Sequence, residues 1–301
     1  MRILALGIVA ALGANAGAAQ INTEPAKTPS GKTVMVAPPD MTNVKQIPFS
    51  KVKILKHIPL KDLKGKPATL PGVKGGVAPF VVDPSALYSN VTNFAFSGLS
   101  AGAAGVYGSG ARTVGMMDDT FMTGNTEING AKLCTYNGNA APTEVQYVQF
   151  LYLDNGGAPG ERAPGGGCVP GGTPACMGGW GVSFSAGNEH PDGVVCWYVD
   201  LSTMWTTSPG SASIWTWSHF ADNNGALLVS EAELANYGLG IFTGPDVGTS
   251  TDNYWVRTGV GGADTPAPAG TIYALGAGES FGIELTANAP VPVTLQSFDV
   301  E

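Results

Sequence analysis

The chain has 301 residues, of which 13% are charged and 44% hydrophobic, and it carries a formal net charge of -8. Its 43 glycines follow no fixed period, which excludes a collagen-like triple helix, and its aromatic content is too high for a fully disordered chain. Few charges together with many glycines and small polar residues favour an all-β extracellular domain.

Residues 1–19 have the pattern of a secretory signal peptide. Arg2 precedes an apolar run over residues 3–12, and the small residues at 16–18 match the cleavage rule of such peptides. A membrane anchor is the alternative, but the run is shorter than the roughly 20 apolar residues that span a bilayer. We therefore expect a secreted protein, extracellular or at the cell surface, with no transmembrane segment after processing.

Residues 20–80 form a basic extension rich in lysine and proline. They contain ten lysines and three acidic residues, which gives a net charge of +7. Within residues 47–60 apolar residues alternate with lysines, and this alternation predicts an amphipathic strand. The strand either lies on its own domain or is donated to the acidic sheet of a neighbouring copy. In the second case a homo-oligomer or filament would form through Lys51, Val52, Lys53, Ile54 and Lys56.

Residues 81–301 form an acidic body, with four basic and twenty acidic residues and a net charge of -16. Short runs of β-forming residues separated by Asn-Gly and Asp-Gly turns predict many strands, and the single helical pattern lies at residues 230–237. Alternating βαβ units are absent, so we predict an antiparallel β-sandwich, jelly-roll-like, preceded by the extended Lys/Pro-rich arm. The predicted strands are 91–96, 112–116, 128–136, 145–153, 181–185, 194–201, 213–220, 227–229, 239–242, 253–257, 271–275, 281–285 and 293–298.

The four cysteines are Cys134, Cys168, Cys176 and Cys196. Export makes disulfides possible, and four cysteines allow three pairings. We favour Cys168–Cys176, which closes a small loop inside the Gly/Pro-rich stretch 154–179, and Cys134–Cys196, which joins two strands. The cysteine spacing does not match a metal site.

Six tryptophans lie within a single part of the body, between residues 180 and 255. Exposed indoles could form a platform that stacks on the sugar rings of an extracellular polysaccharide, whereas buried indoles would be an ordinary core cluster. The candidates for carbohydrate binding are Trp180, Trp197, Trp215, Trp217 and Trp255.

Asp118 and Asp119 form a carboxylate pair beside a predicted strand. Clustered carboxylate oxygens are suitable ligands for a structural calcium ion, and the alternative is a pair of solvated acids at a strand end. No other cofactor is expected. Nucleic acid is not expected as a partner either, because the lysines lack interleaved aromatic residues.

Residues 98–102 match the G-x-S-x-G motif of serine hydrolases, in which Ser100 would be the nucleophile of a secreted esterase. That motif requires a helix directly after the serine, and the glycines between residues 102 and 110 disfavour one. We therefore assign no catalytic residue and expect a non-enzymatic protein.

Five short segments occur in an order that resembles a loose group of secreted bacterial β-sandwich proteins of the choice-of-anchor or PEP-CTERM type. This resemblance implies export and a jelly-roll-like fold rather than an activity, and residues 292–301 contain no apolar anchor. We expect a structural or adhesive extracellular protein that self-associates through its basic arm, with carbohydrate binding as the alternative and esterase activity as a third possibility. The segments are residues 88–94, 112–119, 152–160, 239–250 and 281–285.

Overall fold

The computed structural model describes residues 33–36, 41, 44–63, 82–94, 98–101, 104–107, 110–122, 127–162, 179–206, 213–257, 269–275 and 278–287. These residues are mostly β-strand, because branched and aromatic runs alternate with turn residues along the chain. The predicted signal peptide, the Cys168–Cys176 pair and residues 292–301 lie outside the described residues. In the described part, no helix is long and apolar enough to cross a membrane.

Twenty strands, two single-turn α-helices and a 3₁₀ turn make up the described secondary structure. The helices are α1 (Leu60–Leu63) and α2 (Glu231–Leu234), and the 3₁₀ turn is Phe49–Lys51. The strands are β1 (Thr33–Met35), β2 (Val44–Ile47), β3 (Val52–Ile58), β4 (Ala86–Ser89), β5 (Leu99–Ser100), β6 (Ala104–Tyr107), β7 (Gly110–Thr113), β8 (Met116–Phe121), β9 (Glu127–Asn137), β10 (Val145–Asp154), β11 (Pro159–Arg162), β12 (Gly179–Phe184), β13 (Gly193–Thr206), β14 (Ser213–Ala221), β15 (Tyr237–Leu239), β16 (Ile241–Thr243), β17 (Asn253–Arg257), β18 (Ala269–Ala274), β19 (Glu279–Phe281) and β20 (Ile283–Thr286).

The described strands form two packed sheets and one separate pair, β16–β19. The large sheet has the order β1-β18-β17-β8-β14-β10-β12-β2, with β11 beside β10 and the β6–β7 hairpin beside β14. The small sheet has the order β3-β13-β9, and both β15-β5 and β20-β4 continue from the far side of β9. Among the described strands all pairings are antiparallel except β2 with β12, so the predicted antiparallel β-sandwich is confirmed.

The main core lies between the two sheets and is rich in aromatic rings. Tyr147 of the large sheet meets Trp197 of the small sheet edge to face, with 5.5 Å between ring centroids. Trp180 lies 5.6 Å from Tyr147 and 6.1 Å from Trp197. Edge-to-face contacts of this kind add to the free energy gained from burying the rings.

A second apolar cluster lies on the outer face of the large sheet. Side chains alternate along a strand, so Trp215 and Trp217 of β14 point away from the main core. Trp217 packs against Trp255 at 5.3 Å and against Tyr152 at 5.6 Å. All of these rings are buried, so this part of the large sheet buries both of its faces.

The predicted start of the helix is confirmed at α2, but the helix is shorter than the predicted 230–237: it ends at Leu234, and Tyr237 begins strand β15. Ser230 Oγ accepts a hydrogen bond from Glu233 N, and Glu233 Oε2 accepts one from Ser230 N. This reciprocal capping box satisfies two donors at the start of a helix that is too short to be stable alone. The strand predicted at 227–229 is wrong, since those residues form the irregular entry to α2.

The predicted disulfide Cys134–Cys196 is confirmed. The two cysteines are direct register partners on β9 and β13, the central strand pair of the small sheet. The bond lies on the outer face of that sheet, in a cluster with Tyr136 and Val194.

Removing this disulfide should lower the free energy of unfolding by about 4 kcal/mol, because the bond closes a 62-residue loop in the unfolded chain. The measurement is denaturant unfolding of the oxidised protein and of the Cys134→Ala/Cys196→Ala variant. An unchanged midpoint would show that the bond does not restrict the unfolded state.

Candidate functional site

One continuous segment of the basic arm reaches both sheets. We call residues 44–63 the clasp: its strand β2 pairs with β12 at the edge of the large sheet, and β3 pairs with β13 at the edge of the small sheet. Proline lacks the N–H that a ladder needs, so β2 ends before Pro48. A 3₁₀ turn follows, in which Lys51 N donates to Pro48 O at 2.9 Å. The clasp thus supplies the outermost described strand at one edge of each sheet.

Apolar side chains of the clasp enter the cores. Ile47, at the end of β2, is 5% exposed and belongs to the main core. Phe49 packs edge-on against Phe184 with 5.4 Å between centroids. Leu60 is buried in the cluster on the outer face of the small sheet. The clasp is therefore held by burial as well as by backbone pairing.

Basic groups of the clasp contact the acidic body. Lys51 Nζ lies 3.1 Å from Asp200 Oδ2, and Lys45 Nζ donates to Leu201 O at 3.1 Å. Both members of the Lys51–Asp200 pair are partly exposed, so the pair contributes little to stability. Its main effect is to favour one register and orientation of the arm.

The end of β3 is fixed by the turn at Asp192 and Gly193. Asp192 Oδ2 accepts a hydrogen bond from Leu60 N at 3.0 Å, and His57 Nε2 lies 2.6 Å from Asp192 O. Gly193 has a φ of +85°, and a Cβ there would lie 2.1 Å from Ile58 O. Only glycine allows this backbone conformation together with so close an approach of the clasp.

The five residues proposed for self-association lie on or beside β3. Val52, Lys53, Ile54 and Lys56 are opposite Val199, Tyr198, Trp197 and Cys196 of the same chain. The strand thus lies on its own domain in this structure, which is the first of the two interpretations. The sequence reasoning missed β2, because its four residues, Val-Lys-Gln-Ile, are too few to show a period.

The five candidate tryptophans have no exposed face for a sugar ring. Trp180 and Trp197 lie in the main core, and Trp215, Trp217 and Trp255 lie in the outer cluster, each at most 1% exposed. Stacking on a carbohydrate needs an accessible ring face. The structure therefore places these residues as core side chains, which is the alternative weighed against the platform.

Asp118 and Asp119 do not converge on one point, because neighbouring residues on β8 point to opposite faces. Asp118 Oδ2 accepts a hydrogen bond from Phe281 N at 2.7 Å, and burial, helped by the nearby Asp119, raises the pKa of Asp118 well above its usual value. Asp119 accepts from Ser250 Oγ at 2.9 Å and from Thr251 N at 3.1 Å. Among the residues described, no three His, Cys, Asp or Glu side chains could share a metal ion, so the calcium prediction gains no ligand set there.

Ser100 is not arranged as a hydrolase nucleophile. It lies on the two-residue strand β5 and is followed by strand β6 rather than by a helix. Its hydroxyl donates to Ala235 O at 3.0 Å. Within the described ranges it makes no hydrogen bond to a histidine, and His190 and His219 are buried elsewhere. The geometry gives no support to the esterase hypothesis.

No protein-family model, no curated protein and no solved structure matches the chain. The resemblance to choice-of-anchor and PEP-CTERM proteins therefore stays a prediction. The clasp is the feature of the described chain that best indicates a function.

Replacing Ile47 with alanine should destabilise the protein by about 2–4 kcal/mol, because the change leaves a cavity where the clasp enters the main core. Ile54 lies on the same segment but is 41% exposed, so Ile54→Ala is a matched control that should cost about 1 kcal/mol or less. Denaturant unfolding of both variants tests this. An equal loss of unfolding free energy in the two variants would mean that β2 is not anchored in the core.

The buried residue His190 contacts β9 of the small sheet through its side chain, and its backbone forms a β-bridge with Thr143, just before β10. His190 Nδ1 donates to Pro191 O at 2.8 Å, which leaves Nε2 as an acceptor 2.6 Å from Thr135 Oγ1. The same Thr135 oxygen accepts a hydrogen bond from Trp197 Nε1 at 2.9 Å. Burial lowers the pKa of His190 to about 4, so this histidine is neutral in the folded protein at neutral pH.

Stability should therefore fall as the pH drops from about 6.5 towards about 4, since the unfolded chain binds a proton that folded His190 does not. The loss from this residue should reach about 3 kcal/mol at the acidic end of that range. Unfolding curves at several pH values should show a flatter profile for His190→Gln than for the wild type. The exposed His57→Gln is the control, and a profile unaffected by His190→Gln would contradict the assignment.

Proposed function

We propose that the protein is a secreted, non-enzymatic structural or adhesive β-sandwich that assembles with copies of itself through its basic N-terminal arm. The observation that carries this proposal is the clasp: one continuous segment supplies an edge strand to each of the two sheets.

Backbone pairing makes such a segment exchangeable between copies. Without the clasp, β12 and β13 would present unpaired N–H and C=O groups, and an unpaired edge accepts a strand from any chain that fits. The clasp of a second copy has the same strands and the same apolar side chains for the same positions, including Ile47 and Leu60. Strand donation between copies therefore needs no contact that the single chain does not already make.

The length of chain behind the clasp makes exchange sterically possible. Eighteen residues, 64–81, separate the clasp from the described start of the body. Fully extended, a segment of this length reaches up to about 60 Å, more than the diameter of a small domain. The clasp of one molecule can thus reach the sheet edges of another.

Opposite charges favour the encounter between the arm of one molecule and the acidic body of another. The arm carries +7 and the body -16, and Lys51 with Asp200 shows how the two signs meet at β3. Attraction of this kind speeds association and weakens with salt. Each molecule both gives and receives a clasp, so successive exchange is head to tail and can extend into a chain of copies.

Cysteines placed at opposite positions of β3 and β13 distinguish exchange from a closed monomer. Lys53 is opposite Tyr198, so Lys53→Cys/Tyr198→Cys should form a disulfide wherever a clasp occupies an edge. At high protein concentration we expect a ladder of covalent oligomers on a non-reducing denaturing gel, with covalent monomer increasing on dilution. The single variant Lys53→Cys, which lacks the opposite cysteine on β13, is the control.

Detection of covalent monomer alone at every concentration, with a monomeric mass by light scattering, would overturn self-association through the clasp. Raised salt should reduce the rate of oligomer formation in the double variant, because the opposite charges of arm and body are then screened.

A further inference from the structure

A buried lysine and a buried glutamate face each other across two strands of the small sheet. Lys132 of β9 and Glu284 of β20 are direct register partners, and Lys132 Nζ lies 2.5 Å from Glu284 Oε1. The glutamate side chain has no exposed surface, and the lysine side chain is 11% exposed. From the next strand, β4, Ser89 Oγ donates a hydrogen bond to Glu284 Oε2 at 2.7 Å.

We propose that Lys132 and Glu284 condense to an intramolecular amide, which links β9 covalently to β20. A proton passes from the Lys132 ammonium to Oε1, and the lone pair of the neutral Nζ attacks Glu284 Cδ. The Nζ–Cδ bond forms, the Cδ–Oε1 bond breaks, and Oε1 leaves as water with a second proton from Nζ. Oε2 becomes the amide oxygen, and no oxidant or co-reactant is consumed.

Two physical features favour this reaction at this place. The fold holds the nucleophile and the carboxyl group in contact, and such fixed pairs reach effective concentrations of about 10⁵–10⁸ M, which offsets the disadvantage of condensation in water. Burial penalises both charges of the ion pair, and the amide removes them while its oxygen can still accept the hydrogen bond of Ser89. Ser89 is thus a positioning residue that orients and polarises the carboxyl group.

The link would complete a covalent tie across three adjacent strands. Cys134 lies two residues after Lys132 on β9 and bonds Cys196 of β13. With the amide, the order β13–β9–β20 would be joined by a disulfide on one side of β9 and by an amide on the other. The amide would close a ring from residue 132 to residue 284, which includes most of the acidic body.

The mass of the intact wild-type protein tests the proposal without any variant. Condensation lowers the mass by about 18 Da beyond the loss from disulfide formation. After reduction and proteolysis, we expect a branched peptide in which the segment containing Lys132 is joined to the segment containing Glu284. A wild-type protein that is folded, has the full uncondensed mass and yields no branched peptide after prolonged incubation would overturn the proposal and leave an ion pair.

Variants then identify the reacting groups. Lys132→Arg keeps the positive charge but cannot form the amide, so it should retain the full mass. Glu284→Gln can reach the same amide by losing ammonia, about 17 Da, so its product should have the mass of the condensed wild type. Ser89→Ala should slow the approach to the condensed mass without changing its final value, whereas an unchanged rate would remove the role given to Ser89.

Discussion

Hydrogen bonding of the outermost strands is the constraint on which this structure depends. A sandwich of two open sheets leaves strand edges with unpaired backbone groups, and natural proteins cover or disrupt such edges. Here the basic arm covers an edge of each sheet with a single segment, through β2 on β12 and β3 on β13. A third short strand of the arm, β1, pairs with β18 at the other end of the large sheet. The arm is thus part of the sandwich and not an appendage to it.

The sequence predicts the long strands well and the edges poorly, for a physical reason. The strand at 253–257, where β-branched and aromatic residues are concentrated, has the predicted bounds. The predicted strand 128–136 extends by one residue at each end. Strands β2 and β4 have four residues each, and their assignment depends on partners that are more than 100 residues distant along the chain. Local pattern does not contain that information.

The burial of the candidate residues likewise cannot be predicted from local sequence pattern alone. The alternation along β14 indicates that Trp215 and Trp217 share a face, and the structure agrees. Whether that face is exposed depends on what packs against it, and no period in the sequence reports this. The pairing of Cys134 with Cys196 was a choice among three, and only the register of β9 with β13 makes it definite. The sequence does not indicate the pairing of Lys132 with Glu284 for the same reason, since 152 residues separate them.

The chain has few charged residues, and several of them have defined partners or surroundings in the structure. In the interior of the described part, Lys132 faces Glu284, and burial keeps His190 uncharged at neutral pH. The lysines of the clasp remain at the surface, where Lys51 and Lys53 are exposed. Lysine on an edge strand opposes the addition of a further strand at its free side.

This placement bears on how copies could associate under the proposed function. Among the described strands β3 is the outermost of the small sheet, and edge-to-edge growth would have to add a strand beside its lysines. Exchange of the clasp meets no such obstacle, because it replaces β3 with an identical β3 and leaves the outer edge as it was. The clasp of each molecule competes with those of its neighbours for its own sheet edges. Because residues 64–81 connect it to the body, its effective concentration at those edges is in the millimolar range, so only a high concentration of neighbours can displace it. Assembly by this route would be reversible on dilution and ordered in register, in contrast to the growth of stacked edges.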